Sequence, residues 1–308
     1  MNFLITHITE YSYNEEVVFC HNIATIKPRV SVGQKLLDYN IDISPNPSEF
    51  SERIDFFGNN ITRFSIQEEH KKLSVTSKCK IARDYTSIKE SFNSDDCVKV
   101  TLEDALLSLK TNNPNNFEAK QFILDSILIR NSKANIKEYA LVSFKPNRSV
   151  FEATNELMQR IFTDFDFVSG FTNVSTPLDV VMDEKKGVCQ DFAQIAIACI
   201  RSVGLPARYI SGYIETLPPP GKPKLVGVDA SHAWFAVFIP GFGWVDFDPT
   251  NNKIPENQHI VVGWGRDYYD VPPLKGVIYS SGSSKLKVSV DIRQYHEPTI
   301  AMNQSQSQ

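Results

Sequence analysis

The chain has 308 residues, of which 42% are hydrophobic and 22% charged, and its formal net charge is −4. This length suits two domains with large buried cores. The small net charge argues against nucleic acid or a membrane surface as the partner. No apolar stretch approaches the ~18 residues that span a bilayer, and the start of the chain lacks a signal-peptide pattern, so we expect a cytoplasmic protein.

The first 90 residues have the pattern of β-strands. Apolar and polar residues alternate over short runs, which cover residues 3–8, 37–43, 61–66 and 73–79. Such alternation is typical of strands with one buried face. We therefore predict an N-terminal antiparallel β domain over residues 1–90.

Residues 91–262 begin with a helical pattern and end with a β pattern. The spacing of leucines over 102–109 predicts one helix, and the apolar residues over 122–129 predict a second, with Pro114 between them. Further helices are predicted over 152–162 and 190–203. Three strands then follow, over residues 207–214, 232–239 and 244–248.

Cys189 stands directly before the predicted helix 190–203. The apolar residues of this helix recur at three- and four-residue steps, and Gly204 follows as a stop signal. Free N–H groups and the helix dipole at an N-terminus favour a thiolate, and the same N–H groups can hold an oxyanion. This position predicts a nucleophile.

The cysteines are odd in number and include no Cys-x-x-Cys pair. They are Cys20, Cys79, Cys97, Cys189 and Cys199. The arrangement argues against a disulfide framework or a zinc site, and we expect neither a metal nor another cofactor. A cysteine is most often a buried structural residue, which is the role we expect for all except Cys189.

His232 begins one predicted strand and Asp248 ends the next. A short Pro-Gly-Phe-Gly turn over 240–243 joins the two strands as a hairpin, so these ends are expected to meet. A histidine in this place can act as general base, and a carboxylate can hold its ring. Asp246 lies on the same face as Asp248 by strand alternation, so the spacing leaves both open.

The β pattern returns after residue 262. Residues 288–292 predict a strand, and we expect the segment 263–298 to return to the N-terminal β domain. The tail 299–308 is polar and repetitive, which predicts disorder. The proline-rich run 217–223 is either the rim of a cleft or a connector.

Two long strings, GVCQDFAQIAIACIRSVGLPARYISGY and SHAWFAVFIPGFGWVDFDPTN, resemble the transglutaminase-like superfamily. The strings HITEYSY, DFFGNNITRF and GWGRDYYDVPPLKGV resemble the flanks of a bacterial subgroup. The resemblance implies an α+β fold, with a papain-like core of a cysteine-bearing helix on an antiparallel sheet, preceded by a β domain. It also implies acyl transfer through a thioester by Cys189, His232 and Asp248, and it favours Asp248 over Asp246.

The resemblance also concerns the groups that hold the oxyanion. Where the subgroup often has a tyrosine, the run 165–167 offers only phenylalanines as aromatic residues. The expected donors are therefore the backbone N–H of Cys189 and the side chain of Gln190 or Gln194. The chain has no Asp-x-Asp-x-Asp-Gly loop, so the calcium dependence of animal transglutaminases is not expected here.

We therefore predict a cysteine hydrolase that acts on peptide or protein amide bonds without a cofactor. Trp234 and Trp244 flank the strands of the predicted site and either line a substrate groove or pack in the core. One alternative is a transglutaminase, which passes the acyl group to an amine. Another is a peptide-binding module that has lost catalysis, against which the ordered set of three catalytic residue types argues.

Overall fold

The computed structural model describes residues 1–86, 97–111, 113–130, 134–216 and 230–295. The predicted boundary near residue 90, the run 217–223 and the tail 299–308 lie outside these ranges, as does the side chain of Cys97. Over the described ranges, no helix is both long and apolar enough to cross a bilayer. The chain is an α+β protein whose large sheets are antiparallel.

The elements are numbered here in chain order. The strands are β1 (Asn2–Val17), β2 (Phe19–Ala24), β3 (Gln34–Ser44), β4 (Glu49–Ile54), β5 (Asn60–Ile66), β6 (His70–Arg83), β7 (Asp166–Phe167), β8 (Lys186–Gly187), β9 (Ala207–Ile214), β10 (Ala230–Ile239), β11 (Gly243–Phe247), β12 (His259–Gly265), β13 (Leu274–Tyr279) and β14 (Ser284–Tyr295). The helices are α1 (Leu102–Lys110), α2 (Pro114–Lys120), α3 (Ala134–Ser143), α4 (Val150–Asp164), α5 (Leu178–Glu184) and α6 (Cys189–Ser202). Short 3-10 turns occupy Cys97–Lys99, Gln121–Ile123 and Tyr268–Asp270.

Two four-stranded sheets form the N-terminal region, in the orders β14-β1-β6-β3 and β13-β2-β5-β4. Each sheet therefore receives one strand from the C-terminal end of the chain. Strand β14 pairs with β1 along most of its length, from Asn2 opposite Tyr295 to Tyr13 opposite Ser284. The alternating burial along β1 matches the alternating sequence, since every second side chain enters the core.

A third antiparallel sheet, ordered β11-β10-β9-β12, supports helix α6. One face of this sheet packs on the helix, with Phe235 and Val237 of β10 in the same core cluster as Ile195 and Phe192. Helices α3, α4 and α5 also pack on α6. Its residues from Asp191 to Arg201 are consequently all buried.

Helix α6 begins and ends close to the predicted limits of 190 and 203. Its last residue is Ser202, and Gly204 adopts a φ of +85°, a left-handed conformation that suits glycine after a helix. The predicted boundary at residue 262 falls inside β12, which pairs with β9 and so belongs to the sheet under α6.

The predicted helix over 122–129 is not formed. Helix α2 begins at Pro114 instead and ends at Lys120, and a 3-10 turn closes it at Ile123. A proline suits the first position of a helix, where its missing N–H needs no partner. Beyond the turn, the N–H of Leu128 donates to Asp267 Oδ2 at 2.7 Å, so a tertiary contact replaces the helical hydrogen bond.

The other face of the third sheet meets the N-terminal region. Gln34 of β3 forms two hydrogen bonds with the backbone of Val261, at 2.7 and 2.9 Å. His7 Nδ1 of β1 lies 2.8 Å from the hydroxyl of Tyr213. Burial lowers the pKa of His7 to about 4, so this imidazole is neutral at the junction. These buried polar contacts fix how the two regions pack.

Candidate active site

Cys189 is the first residue of α6, and a tight set of polar contacts holds the turn before it. The Asp191 carboxylate accepts hydrogen bonds from the N–H of Val188 at 2.8 Å and from the hydroxyl of Thr172 at 2.5 Å. A Cβ on Gly187 would lie 2.8 Å from Asp191, so only glycine fits there. The turn therefore presents Cys189 in a fixed position at the helix N-terminus.

The described cysteines differ in exposure. Cys189 is partly exposed, whereas Cys20, Cys79 and Cys199 are buried. Burial raises the pKa of Cys79 and of Cys199 to about 12, which keeps both thiols protonated at neutral pH. This difference agrees with a structural role for the buried thiols.

The β10–β11 hairpin brings His232 and Asp248 together, although 16 positions separate them in the sequence. His232 Nε2 lies 2.8 Å from Asp248 Oδ2, and both side chains are buried. The register aligns Phe235 with Phe247, so Asp248 lies diagonally across from His232, just beyond the end of β11.

His232 interacts with both Asp248 and Cys189. Burial lowers the pKa of His232, but its hydrogen bond to Asp248 and its interaction with Cys189 outweigh this effect and raise the pKa to about 10. Burial also opposes the charge on Asp248, yet hydrogen bonds from histidine hold the pKa of this carboxyl well below its usual range. His232 is therefore an imidazolium at neutral pH, and it lies between the Asp248 carboxylate and the Cys189 thiol.

Asp246 takes a different partner, although it shares the face of Asp248. Its carboxylate accepts a hydrogen bond from Trp234 Nε1 at 3.0 Å and lies near the Arg208 guanidinium. The Asp248 carboxylate is oriented by the turn that follows it, because Oδ1 accepts backbone N–H groups from Thr250 at 3.0 Å and Asn251 at 3.3 Å. The spacing alone did not distinguish these two carboxylates.

Two residues that sequence reasoning missed also bind Asp248. His259 Nε2 lies 2.9 Å from Asp248 Oδ2, and the Asn251 side-chain amide donates to the same oxygen at 2.7 Å. Burial lowers the pKa of His259 despite this contact, so a neutral ring that donates from Nε2 fits the geometry. In the sequence, His259 is marked only as a histidine at the start of an apolar run. Its position beside Asp248 depends on the pairing of β9 with β12, which the sequence does not reveal.

His232, Asp248 and His259 are residue types that can bind a metal, and their donor atoms all lie within 4.8 Å of one another. The nitrogen–oxygen distances of 2.8 and 2.9 Å are those of hydrogen bonds. Ligands that share an ion at about 2.0–2.2 Å from each atom stand further apart than this in a tetrahedral site. The geometry thus fits a hydrogen-bonded carboxylate better than a metal centre.

The predicted oxyanion donors lie in the first two turns of α6. Helix geometry leaves the first N–H groups without intrahelical partners, and these include the N–H of Cys189. The Gln190 side chain is partly exposed, whereas Gln194 is buried and its Oε1 has no hydrogen-bond partner. Phe167 offers an exposed ring and no polar group, as the sequence indicated.

Trp234 and Trp244 both line a large cavity whose wall includes neither Cys189 nor His232. Trp234 is fully buried, and its ring lies 5.9 Å from the His232 ring, centroid to centroid. Its contact with the site is therefore through packing behind the histidine.

Comparisons with known proteins match both the N-terminal β region and the region that contains the candidate active site to family models. Residues 3–82 match the model of the bacterial transglutaminase-like N-terminal region, and residues 139–249 match the model of the transglutaminase-like superfamily. The second match contains Cys189, His232 and Asp248.

Relatives extend the similarity over nearly the whole chain. An uncharacterized protein of Mycobacterium tuberculosis is 39% identical over 304 residues, which cover 94% of this chain and 91% of that protein. A protein-glutamine gamma-glutamyltransferase of Pseudomonas aeruginosa is 35% identical over 79 residues, which are 25% of this chain and 12% of that protein. A solved structure from Cytophaga hutchinsonii, described as a "Putative Cysteine Protease", superposes with a TM-score of 0.73 at 21% identity, covering 97% of this chain and 92% of that chain.

Proposed function

The chain belongs to the transglutaminase-like superfamily, and on that premise we propose that it is a cysteine hydrolase that cleaves peptide or side-chain amide bonds. The proposed catalytic residues are Cys189 as nucleophile, His232 as acid and base, and Asp248 as the carboxylate that orients His232. The proposed substrate is a peptide or protein, and neither nucleic acid nor membrane lipid takes part.

One observation carries this proposal, namely that His232 is hydrogen-bonded to Asp248 and interacts with the thiol of Cys189. An imidazolium next to the thiol stabilises the thiolate, which is the reactive form of cysteine. The position of Cys189 at the start of α6 adds N–H groups where the oxyanion would form. The structurally similar protein of Cytophaga hutchinsonii is described as a "Putative Cysteine Protease", which agrees with the proposed class of reaction.

In the proposed first step, the Cys189 thiolate attacks the carbonyl carbon of the amide. A carbon–sulfur bond forms, and the carbonyl oxygen becomes an oxyanion that faces the first N–H groups of α6. The His232 imidazolium then gives its proton to the amide nitrogen, the carbon–nitrogen bond breaks, and the amine leaves. The acyl group remains on Cys189 as a thioester.

In the second step, water attacks the thioester carbon while neutral His232 accepts a proton from it. The carbon–sulfur bond breaks, the carboxylic acid leaves, and the thiolate and imidazolium return. Asp248 keeps the ring in one tautomer through both steps and stays ionised, since it accepts five hydrogen bonds from histidine, amide and backbone donors.

A second candidate is transfer of the acyl group to a primary amine. The similarity to the gamma-glutamyltransferase of Pseudomonas aeruginosa favours it, over the 79 residues that align. Both reactions share the thioester, so the catalytic residues do not decide between them. An amine competes with water only where the site binds the amine and excludes water, and we therefore propose hydrolysis as the main reaction.

The test is incubation with a peptide library, with and without millimolar primary amine, followed by mass spectrometry. We expect free carboxylic acids as the main products and none from the Cys189→Ala variant. A majority of amine adducts would make the protein a transferase. Equal product from Cys189→Ala would contradict the proposed mechanism, and peptide retention without any product would favour the binding module.

A further inference from the structure

A large cavity lies on the face of the third sheet that points away from α6. Its volume is about 1180 Å³, and its wall is shared by the N-terminal sheets, the α2 segment and strands β9 to β12. Binding sites for small molecules commonly form at such junctions between parts of a protein. At its rim the phenylalanines Phe56 and Phe117 are 80% and 76% exposed, so the entrance is apolar.

The inner wall of this cavity carries an excess of positive charge. Arg29, Arg83 and Arg208 all line it, and the latter two are buried. The lining residues also include two acids, the partly buried Asp246, which binds Trp234, and the exposed Glu118. Burial lowers the pKa of Arg208 to about 9, although Asp246 opposes this shift, and lowers the pKa of Arg29 to about 10.

The three guanidinium groups keep unused hydrogen-bonding capacity. The Nε–H of Arg29, of Arg83 and of Arg208 is buried, and each lacks a hydrogen-bond partner. Arg208 is 8% exposed, so this donor is withheld from bulk water as well. These Nε–H groups have almost no accessible surface, so an anion in the cavity would act on the guanidinium charges rather than on these donors.

Flat aromatic surfaces surround these cations. The chain has three tryptophans, Trp234, Trp244 and Trp264, and all of them line the cavity. Arg208 lies between two of them, 4.4 Å from the Trp244 ring and 3.8 Å from the Trp264 ring. A ligand held here would meet cations and planar apolar surfaces together.

From these contacts we propose that the cavity binds a small aromatic anion, whose carboxylate or phosphate group pairs with Arg208 and Arg83 while its ring packs beside Trp244 and Trp264. The planar fork of arginine suits both groups, because it can donate two parallel hydrogen bonds. The apolar rim admits the ring, and the basic inner wall selects the charge.

The proposed site also adjoins the catalytic carboxylate without including it. His259 lines the cavity, and its buried Nδ1 has no hydrogen-bond partner while its Nε2 binds Asp248.

Intrinsic tryptophan fluorescence measures binding directly, since all three tryptophans line the cavity. We propose titrating the full chain with benzoate and with phenyl phosphate, using neutral benzamide as the matched control. We expect a saturable fluorescence change with at least one anion and about tenfold weaker binding of benzamide. The tighter of the two anions identifies the preferred group. Equal binding of benzamide, or no saturable change with either anion, would overturn the proposal.

Substitution of Arg208 tests the assignment of the cation. Arg208→Gln should weaken binding of the preferred anion at least about tenfold, while Arg53→Gln, at an exposed position outside the cavity, should bind like the unmodified protein. Arg208→Lys keeps the charge without the fork and should fall between them, which preserves the test if Arg208→Gln does not fold. Unchanged binding by either Arg208 variant, with a native circular dichroism spectrum, would contradict the proposed site.

Discussion

Cys189 is the partly exposed thiol among the described cysteines, and this difference leads to a prediction about its reactivity. Iodoacetamide should alkylate Cys189 at least about tenfold faster than Cys20, Cys79 or Cys199, because only a thiolate that the reagent reaches will react. Peptide mass spectrometry after short incubations gives the rate for each cysteine. His232→Ala should slow the alkylation of Cys189 alone, and equal rates at all four thiols would contradict the proposed ion pair.

The two neighbouring aspartates offer a matched pair of substitutions. Asp248→Asn should lower turnover of an amide substrate at least about a hundredfold, because the amide cannot hold the His232 imidazolium. Asp246→Asn should cost less than about tenfold, since its hydrogen bond to Trp234 needs only a neutral oxygen. Steady-state kinetics of both variants provides the comparison, and the reverse order would assign the orienting role to Asp246.

The raised pKa of His232 predicts that the stability of the folded protein depends on pH. Its pKa is about 10 in the folded protein, against an ordinary value of 6.5, so folding favours the imidazolium. This stabilisation is fully present below pH 6.5 and is lost as the pH rises through about 10. Urea unfolding across this window should show a fall in the free energy of unfolding that His232→Gln lacks. Parallel curves for the two proteins would contradict the raised pKa.

At the scale of residues, the proposed nucleophile and base could be predicted from the sequence, whereas the residues around them could not. Cys189 and His232 begin recognisable elements, and their motifs match a known family. His259 carries no such signal, because its contact with Asp248 depends on strand β12 lying beside β9. Contacts between distant strands are not encoded in local periodicity, which is why this residue was missed.

The N-terminus of α6 is the element on which the proposed chemistry depends. Asp191→Ala removes the acceptor for the N–H of Val188 and the hydroxyl of Thr172, so it should lower the free energy of unfolding by ~1–2 kcal/mol. Asp191→Asn keeps an oxygen at this position and serves as the matched control. Chemical denaturation measures the difference, and an alanine variant as stable as the asparagine variant would show that the cap is unimportant.

Elements with strong hydrophobic periodicity were predicted correctly, whereas the segment after Ile123, which makes tertiary contacts, was not. Helix α6 has apolar residues at regular steps and a glycine stop, so both ends were close to the prediction. The residues after Ile123 have apolar side chains at helical spacing, but they form no helix, and the N–H of Leu128 binds Asp267 instead. A hydrogen bond to a residue 139 positions away is invisible to local patterns.

At the scale of the whole molecule, the predicted α+β fold and the family resemblance are confirmed. The partition into segments was harder to predict, since β12 crosses the predicted boundary at residue 262. Sequence patterns mark where strands lie, but the sheet that each strand joins depends on contacts between distant parts of the chain. The junction cavity could not be foreseen for the same reason.

The pairing of β14 with β1 predicts that the C-terminal strand is essential for the N-terminal sheet. Removal of residues 284–308 should lower the thermal unfolding midpoint and promote aggregation, because Phe3 and Ile5 lose Val290 and Ile292 and β1 becomes an open edge. Removal of residues 299–308 alone is the control and should change neither. Calorimetry and size-exclusion chromatography measure both effects, and a stable monomer without β14 would contradict the prediction.

The placement of β13 and β14 has a further consequence during synthesis on the ribosome. The strands that they complete, β2 and β1, are made first, yet each must wait for more than two hundred residues before its partner emerges. During that interval β1 exposes an unpaired edge, which is a known hazard for aggregation. We therefore expect the nascent chain to rely on chaperones until β13 and β14 have emerged from the ribosome and paired with β2 and β1.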